Sequence, residues 1–95
     1  MSKPASKAPP FLYCPWEVAD AGALQALARG DASAEQQRRA LDWVVRVAAG
    51  TYNATFHPGQ PDASAFAEGR RFVGLEVVKL LNLNLSAFRK DDQNG

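Results

Sequence analysis

The chain has one cysteine, one histidine and no long apolar run, and each shortage removes a class of function. With Cys14 alone, neither an intramolecular disulfide nor a cysteine-based zinc site can form, which fits a reducing compartment. His57, in a loop before a proline, has no cysteine cluster near it in sequence and is neither a metal ligand nor a triad member. No stretch approaches the roughly 20 apolar residues that cross a bilayer. The start "MSKPASKAPPFL" also lacks a signal-peptide core. The expectation is a soluble, non-secreted protein with no membrane partner, which makes the Asn53-Ala54-Thr55 sequon a chance match. There is no phosphate-cradling glycine loop. Glu68 and Glu76 lie two turns apart but have basic neighbours, so they read as solvated pairs. No enzyme, cofactor or metal is expected.

Charge of one sign is missing too. The formal net charge is +1, without the broad positive field of a nucleic-acid binder. Arg38, Arg39 and Arg46 form a stripe able to touch phosphate, but Glu35 and Asp42 interleave with it, so nucleic acid is the less favoured partner. The eleven residues from Thr51 to Pro61 are too long for the turn of a helix-turn-helix. No segment alternates long enough for a strand, and there are no internal repeats.

What remains is helical pattern. Residues 1–13 form a Pro/Lys arm, 14–83 a three-helix domain and 84–95 a C-terminal tail. The first helix is expected over 15–29, with Pro15 at its first position and Gly30 past its end. Trp16, Ala23 and Leu27 share its inner face, beside Ala19, Leu24 and Ala26. The second helix, 33–49, opens on the capping box Ser33-Ala34-Glu35-Gln36. Its stripe is Leu41, Val44, Val45 and Ala48, broadened by Trp43 and Val47, with Arg38, Asp42 and Arg46 opposite. The loop that follows has Tyr52 and Phe56 as expected anchors. The third helix is expected over 62–82, capped by Asp62. The fold class is all-α: a small three-helix bundle with antiparallel neighbours and extended arms. A domain of about 70 residues buries only about 60% of its unfolded surface, so a partner or further copies would help it.

The third helix poses a question. With Phe66 at 0° and 100° per residue, Val73, Val77 and Leu80 fall within about 40° of it, and so does Arg70. A guanidinium in an apolar stripe must snorkel, stack or pair. Trp16 or Trp43 offers a stack; Glu17, Asp42 or Asp62 offers a carboxylate. Arg70 then closes the bundle end against the loop and second helix, or contacts an external carboxylate, phosphate or carbonyl. Gly69 and Gly74 on the same helix suggest close backbone approach. Phe72 and Leu75 point away from the stripe and are candidates for a partner surface. Phe11 and Leu12 beside the arm, and Leu85 and Phe88 in the tail, join them as contact candidates, although Phe11 and Leu12 are equally suited to folding back on the domain.

From Gln37 to Leu83 the chain carries "ALDWVV", "TYNATFHPG" and "AFAEGRRFVGLEVVKLLNL". In these it resembles a small bacteriophage domain family first named from a Bordetella short-tailed phage protein. "EGRR" (Glu68, Gly69, Arg70, Arg71) followed by "VGL" is the most specific element; Phe66 and Gly74 also match. The segment "PWEVADAGALQALARGDA" lies outside the resemblance. It implies a non-enzymatic accessory protein encoded near packaging, portal and head genes, and these residues carry a structural motif. The functional expectation is a virion-associated structural or connector component, made in the host cytoplasm, that contacts capsid, portal or tail proteins or itself. The alternatives are a terminase-associated packaging or regulatory factor, or an internal protein ejected with the genome.

Overall fold

The computed structural model describes residues 14–89, and these are helical with no strand among them. Phe11 and Leu12, expected as arm contacts, lie outside the described residues. Helix α1 spans Val18–Arg29, starting three residues later than expected from Pro15. The Pro15 carbonyl instead accepts the Trp43 indole N–H at 2.9 Å, and the cap passes to Glu17, whose N–H donates to Asp20 Oδ2 at 2.8 Å. Gly30 closes the helix at φ 81°, and the Asp31 N–H reaches back to the Ala26 carbonyl at 3.0 Å.

Helix α2, Ala34–Asp42, opens on the expected box: Gln36 N–H donates to Ser33 Oγ, and Ser33 N–H to Gln36 Oε1. It does not remain α-helical to residue 49. From Trp43 to Ala48 the ladder widens to a π-helix, a rare form often found at functional or strained positions. Ala49 N–H bonds to Val44 rather than Val45, which leaves the Val45 carbonyl open. Thr51 takes it twice, through its N–H at 3.2 Å and its Oγ1 hydroxyl at 2.6 Å. Gly50 between them sits at φ 59°, a turn that favours a residue without Cβ.

Helix α3 spans Pro61–Leu81. Pro61 occupies its first turn and Gln60 the cap, so Asp62 lies inside the helix rather than at its end. The Ser64 hydroxyl accepts the His57 N–H at 2.8 Å and ties the loop to this turn. Asn82 ends the helix, with its Nδ2 donating to the Val78 carbonyl at 2.9 Å. The main packing of α1 is against α2, and that of α3 is against the π segment.

The buried apolar residues are Ala23, Ala26, Ala40, Val45, Ala49, Ala63 and Ala67. This core consists almost wholly of methyl groups. Leu27, expected to face it, is exposed, because the Ala23–Ala26 surface already meets α2 closely and leaves no depth for a longer side chain. Phe56, expected to anchor the loop, is 75% exposed, and Tyr52 also lies outside.

The larger correction concerns α3. Its inward face is Ala63, Ala67 and Gly74, with Val78 half-buried beyond them. That face is rotated about 100° from the stripe through Phe66, Val73 and Leu80, taking 100° per residue. The cause is distance. A Cβ at Gly74 would overlap Thr51 Oγ1 and lie 2.8 Å from Ala49 Cβ. Backbones this close admit only the small side of the helix. Gly69, the other glycine, is exposed, and an added Cβ there would meet nothing within 4 Å.

Candidate partner-binding surface

With its small side turned inward, α3 presents its large residues outward. Phe72 is 62% exposed, Val73 56% and Leu80 63%, and Leu75 is exposed with them; Leu81 is exposed too, but on the side toward α2. Burying a side chain of this size contributes about 1.5–3 kcal/mol, so several such contributions are forgone by the chain alone. Glu76 and Lys79 fall among these residues on the same side of the helix and pair with each other at 2.8 Å, so an ion pair interrupts the apolar surface. Past Asn82 the apolar surface continues. Asn84 Oδ1 accepts the Ser86 N–H at 3.2 Å and hydroxyl at 2.7 Å, and so caps a helical turn over 86–89. This turn holds Leu85 and Phe88 on the outside, with Leu83 exposed just before it. Of the sequence-named contact residues, Phe72, Leu75, Leu85 and Phe88 thus lie exposed on α3 or just beyond it.

A groove of about 310 Å³ runs between the end of α3 and α2. Leu41, Val45, Val78 and Leu81 give it an apolar floor, Tyr52 one wall, and Arg38 and Arg46 its rim. Sequence reasoning placed Arg38, Arg39 and Arg46 together as a phosphate stripe, and the structure separates their roles. Arg39 turns toward α1, donating to Asp20 Oδ1 at 2.8 Å and to Glu17 Oε1 at 3.0 Å. The hydrogen bond that Arg39 donates to Asp20 is the main cause that raises the Arg39 pKa, and the charges of Asp20 and Glu17 add to it. Arg46 donates to Asp42 Oδ1 at 2.6 Å and lies over the Tyr52 ring at 5.3 Å. Arg38 is exposed and makes no ion pair among the described residues. The expected Arg38–Asp42 pair is replaced by Asp42–Arg46 alone.

Arg70 is half-buried and takes none of the partners expected for it. Its Nη1 donates to Cys14 Sγ at 3.5 Å, and the guanidinium lies over the Phe66 ring at 5.6 Å. A Cβ built on Gly50 would come within 3.5 Å of its Nε and Nη2, so the group rests against the turn after the π segment. The ring beneath Arg70 is Phe66 rather than a tryptophan, and no carboxylate pairs with Arg70 among the described residues. Arg71, its neighbour, does the closing that was expected of Arg70. It donates to the Thr51 carbonyl at 3.1 Å and approaches Glu68 Oε1 at 3.6 Å. Of the motif residues, Gly74 and Arg71 lock α3 to the turn, Glu68 steadies Arg71, Arg70 reaches Cys14 with Phe66 beneath its guanidinium, and Gly69 is exposed.

Sequence reasoning missed Thr51, the residue on which this junction turns, and Val73 and Leu80 as outward residues. The spacing Ala63, Ala67, Gly74 was the available signal. No group of His, Cys, Asp and Glu able to hold a metal occurs among the described residues, nor is any helix there long and apolar enough to cross a membrane. No family model matches the chain, and no curated protein or solved structure is detectably similar to it.

Proposed function

We propose that the chain is a non-enzymatic assembly subunit, an incomplete three-helix bundle that finishes its burial against neighbouring proteins. The contact surface is the outer side of α3 with the turn that follows it: Phe72, Leu75, Leu85 and Phe88, joined by Val73 and Leu80. One observation carries this reading. The buried apolar set is alanines and a single valine, whereas the phenylalanines and leucines of the second half are all exposed. A patch of this kind on a small domain marks a protein-interaction site.

The resemblance through "EGRR" and "VGL" supports a bacteriophage setting for it, in which the subunit is a structural or connector component near capsid, portal or tail. Its partners are then those proteins or further copies of itself, and its location is the virion after assembly in the host cytoplasm. The rival reading is a packaging or regulatory factor acting on terminase or nucleic acid, or an internal protein ejected with the genome. The engagement of Arg39 and Arg46 by carboxylates favours the protein surface over a phosphate site.

Sedimentation velocity across a concentration range tests the assembly reading, with a concentration-dependent rise in mass as the expected result for self-association. A strict monomer that also fails to bind purified capsid, portal or tail protein overturns it. Mass spectrometry of purified particles tests the location. Absence there removes the virion reading and leaves the packaging factor, which requires salt-sensitive DNA binding weakened by Arg38→Ala.

A further inference from the structure

We infer that the outer side of α3 takes a second copy of this chain, packed antiparallel about a two-fold axis between Glu76 and Lys79. This rests on the assembly reading above and gives its surface an occupant and a register. Phe72, Glu76, Lys79 and Leu83 follow the four-three-four spacing of a coiled-coil seam. The first three lie on α3, and the Leu83 N–H still bonds to the Leu80 carbonyl at 3.4 Å, which carries the turn through Leu83. Taking 100° per residue, the seam points about 170° away from Ala63, Ala67 and Gly74. The packing against the π segment is therefore behind it, and the seam is open to a second helix.

Charge selects that helix. From Phe72 to Leu83 the seam reads apolar, negative, positive, apolar. A two-fold axis presents the same surface in reverse order. Glu76 then faces Lys79 of the partner subunit, Lys79 faces Glu76 of the partner subunit, and Phe72 meets Leu83 of the partner subunit in the outer layers. On one flank Val73 comes beside Leu80 of the partner subunit, and both are exposed in the single chain. A parallel copy sets Glu76 on Glu76 and Lys79 on Lys79, which like-charge repulsion opposes. The 2.8 Å pair within each chain is about half exposed, and such a pair alone contributes little. Covered by a purely apolar partner, it loses water with nothing in return. Covered by its own copy, it becomes a ring of four alternating charges that fixes the register.

Sedimentation equilibrium of the full chain and its charge variants tests this, with a reversible dimer expected for the native sequence. Lys79→Glu gathers four carboxylates at the centre and Glu76→Lys four ammonium groups. Each should weaken dimerisation about tenfold or more, with helix content by circular dichroism unchanged. The double swap Glu76→Lys with Lys79→Glu restores the alternation and the dimer. Orientation is read with the seam charges intact, by electron spin resonance distances from a nitroxide on Ala65→Cys in a Cys14→Ser chain. Ala65 is exposed in the first half of α3. The antiparallel register staggers the two labels by about 25 helical rises, so a separation of about 40 Å is expected, whereas a parallel pair brings them within about 20 Å. A short separation, single variants that dimerise like the native chain, or a double swap that stays monomeric overturns the inference. So does a native chain that is monomeric throughout. If that monomer still binds purified capsid, portal or tail protein and loses the binding with Phe72→Ser, the assembly reading stands and the two-fold pairing alone falls.

Discussion

The two long sides of α3 are built to opposite rules. Toward the π segment the helix shows Ala63, Ala67 and Gly74, and a methyl group at the last would collide with Thr51. Away from it the helix shows Phe72, Leu75 and Leu80, all exposed. The small side defines position: close backbones, a buried hydroxyl on Val45, and Arg71 holding the Thr51 carbonyl. The large side carries apolar area without any described neighbour to use it on. In an ordinary small domain the large residues would be the core. Here specificity of docking and quantity of burial have been separated, one on each side of a single helix.

The sharpest way to break this comparison is Gly74→Ala. In an open helix position the same change is stabilising by about 1 kcal/mol through propensity. At Gly74 the sign reverses, because the new methyl must displace Thr51 and Ala49, and overpacking of this kind costs about 1–3 kcal/mol. Urea unfolding of the variant beside Gly22→Ala checks it. Gly22 lies in α1 with nothing within 4 Å of an added Cβ, so it should gain where Gly74 loses. A gain at both positions would mean that α3 is not held against the turn.

Thr51→Val comes next. It keeps the shape but deletes the hydroxyl that donates to Val45, while the backbone N–H of the same residue still reaches that carbonyl. The expected loss is about 1 kcal/mol, the ordinary net value of one such bond, measured again by urea unfolding. Hydrogen exchange sharpens the result: the amides of the π segment should lose protection before those of α1. Equal loss everywhere would make Thr51 a generic core residue rather than the latch of this turn.

These two residues also mark where sequence reading stopped. Ser33, Gly30 and Pro61 announce helix ends through local chemistry, and the ends fall within a few residues of where pattern placed them. The facing of α3 is not local. Periodicity weights large apolar residues, so it points to Phe66, Val73 and Leu80, whereas the neighbouring backbone selects for absence of bulk. The π segment is equally hidden, since it depends on a carbonyl at Val45 being claimed by a threonine beyond the end of the helix. Arg70 was visible as an anomaly because it broke a pattern. Its partner was not, because Cys14 lies 56 residues earlier and nothing in spacing links them.

The smallest expected effect on folding is the most informative about the outer side. Phe72→Ser with Leu80→Ser removes two large apolar groups that are mostly in water already. Exposed substitutions away from special features usually change stability by no more than about 0.5 kcal/mol, and this pair should stay near that bound when measured in dilute protein. Association with copies or partner proteins should fall sharply in the same variant, since buried aromatic and aliphatic anchors dominate interface energies. A variant that unfolds much more easily in the dilute monomer would place these side chains within the subunit's own core. The contrast between the two sides of α3 would then collapse, and the assembly surface with it.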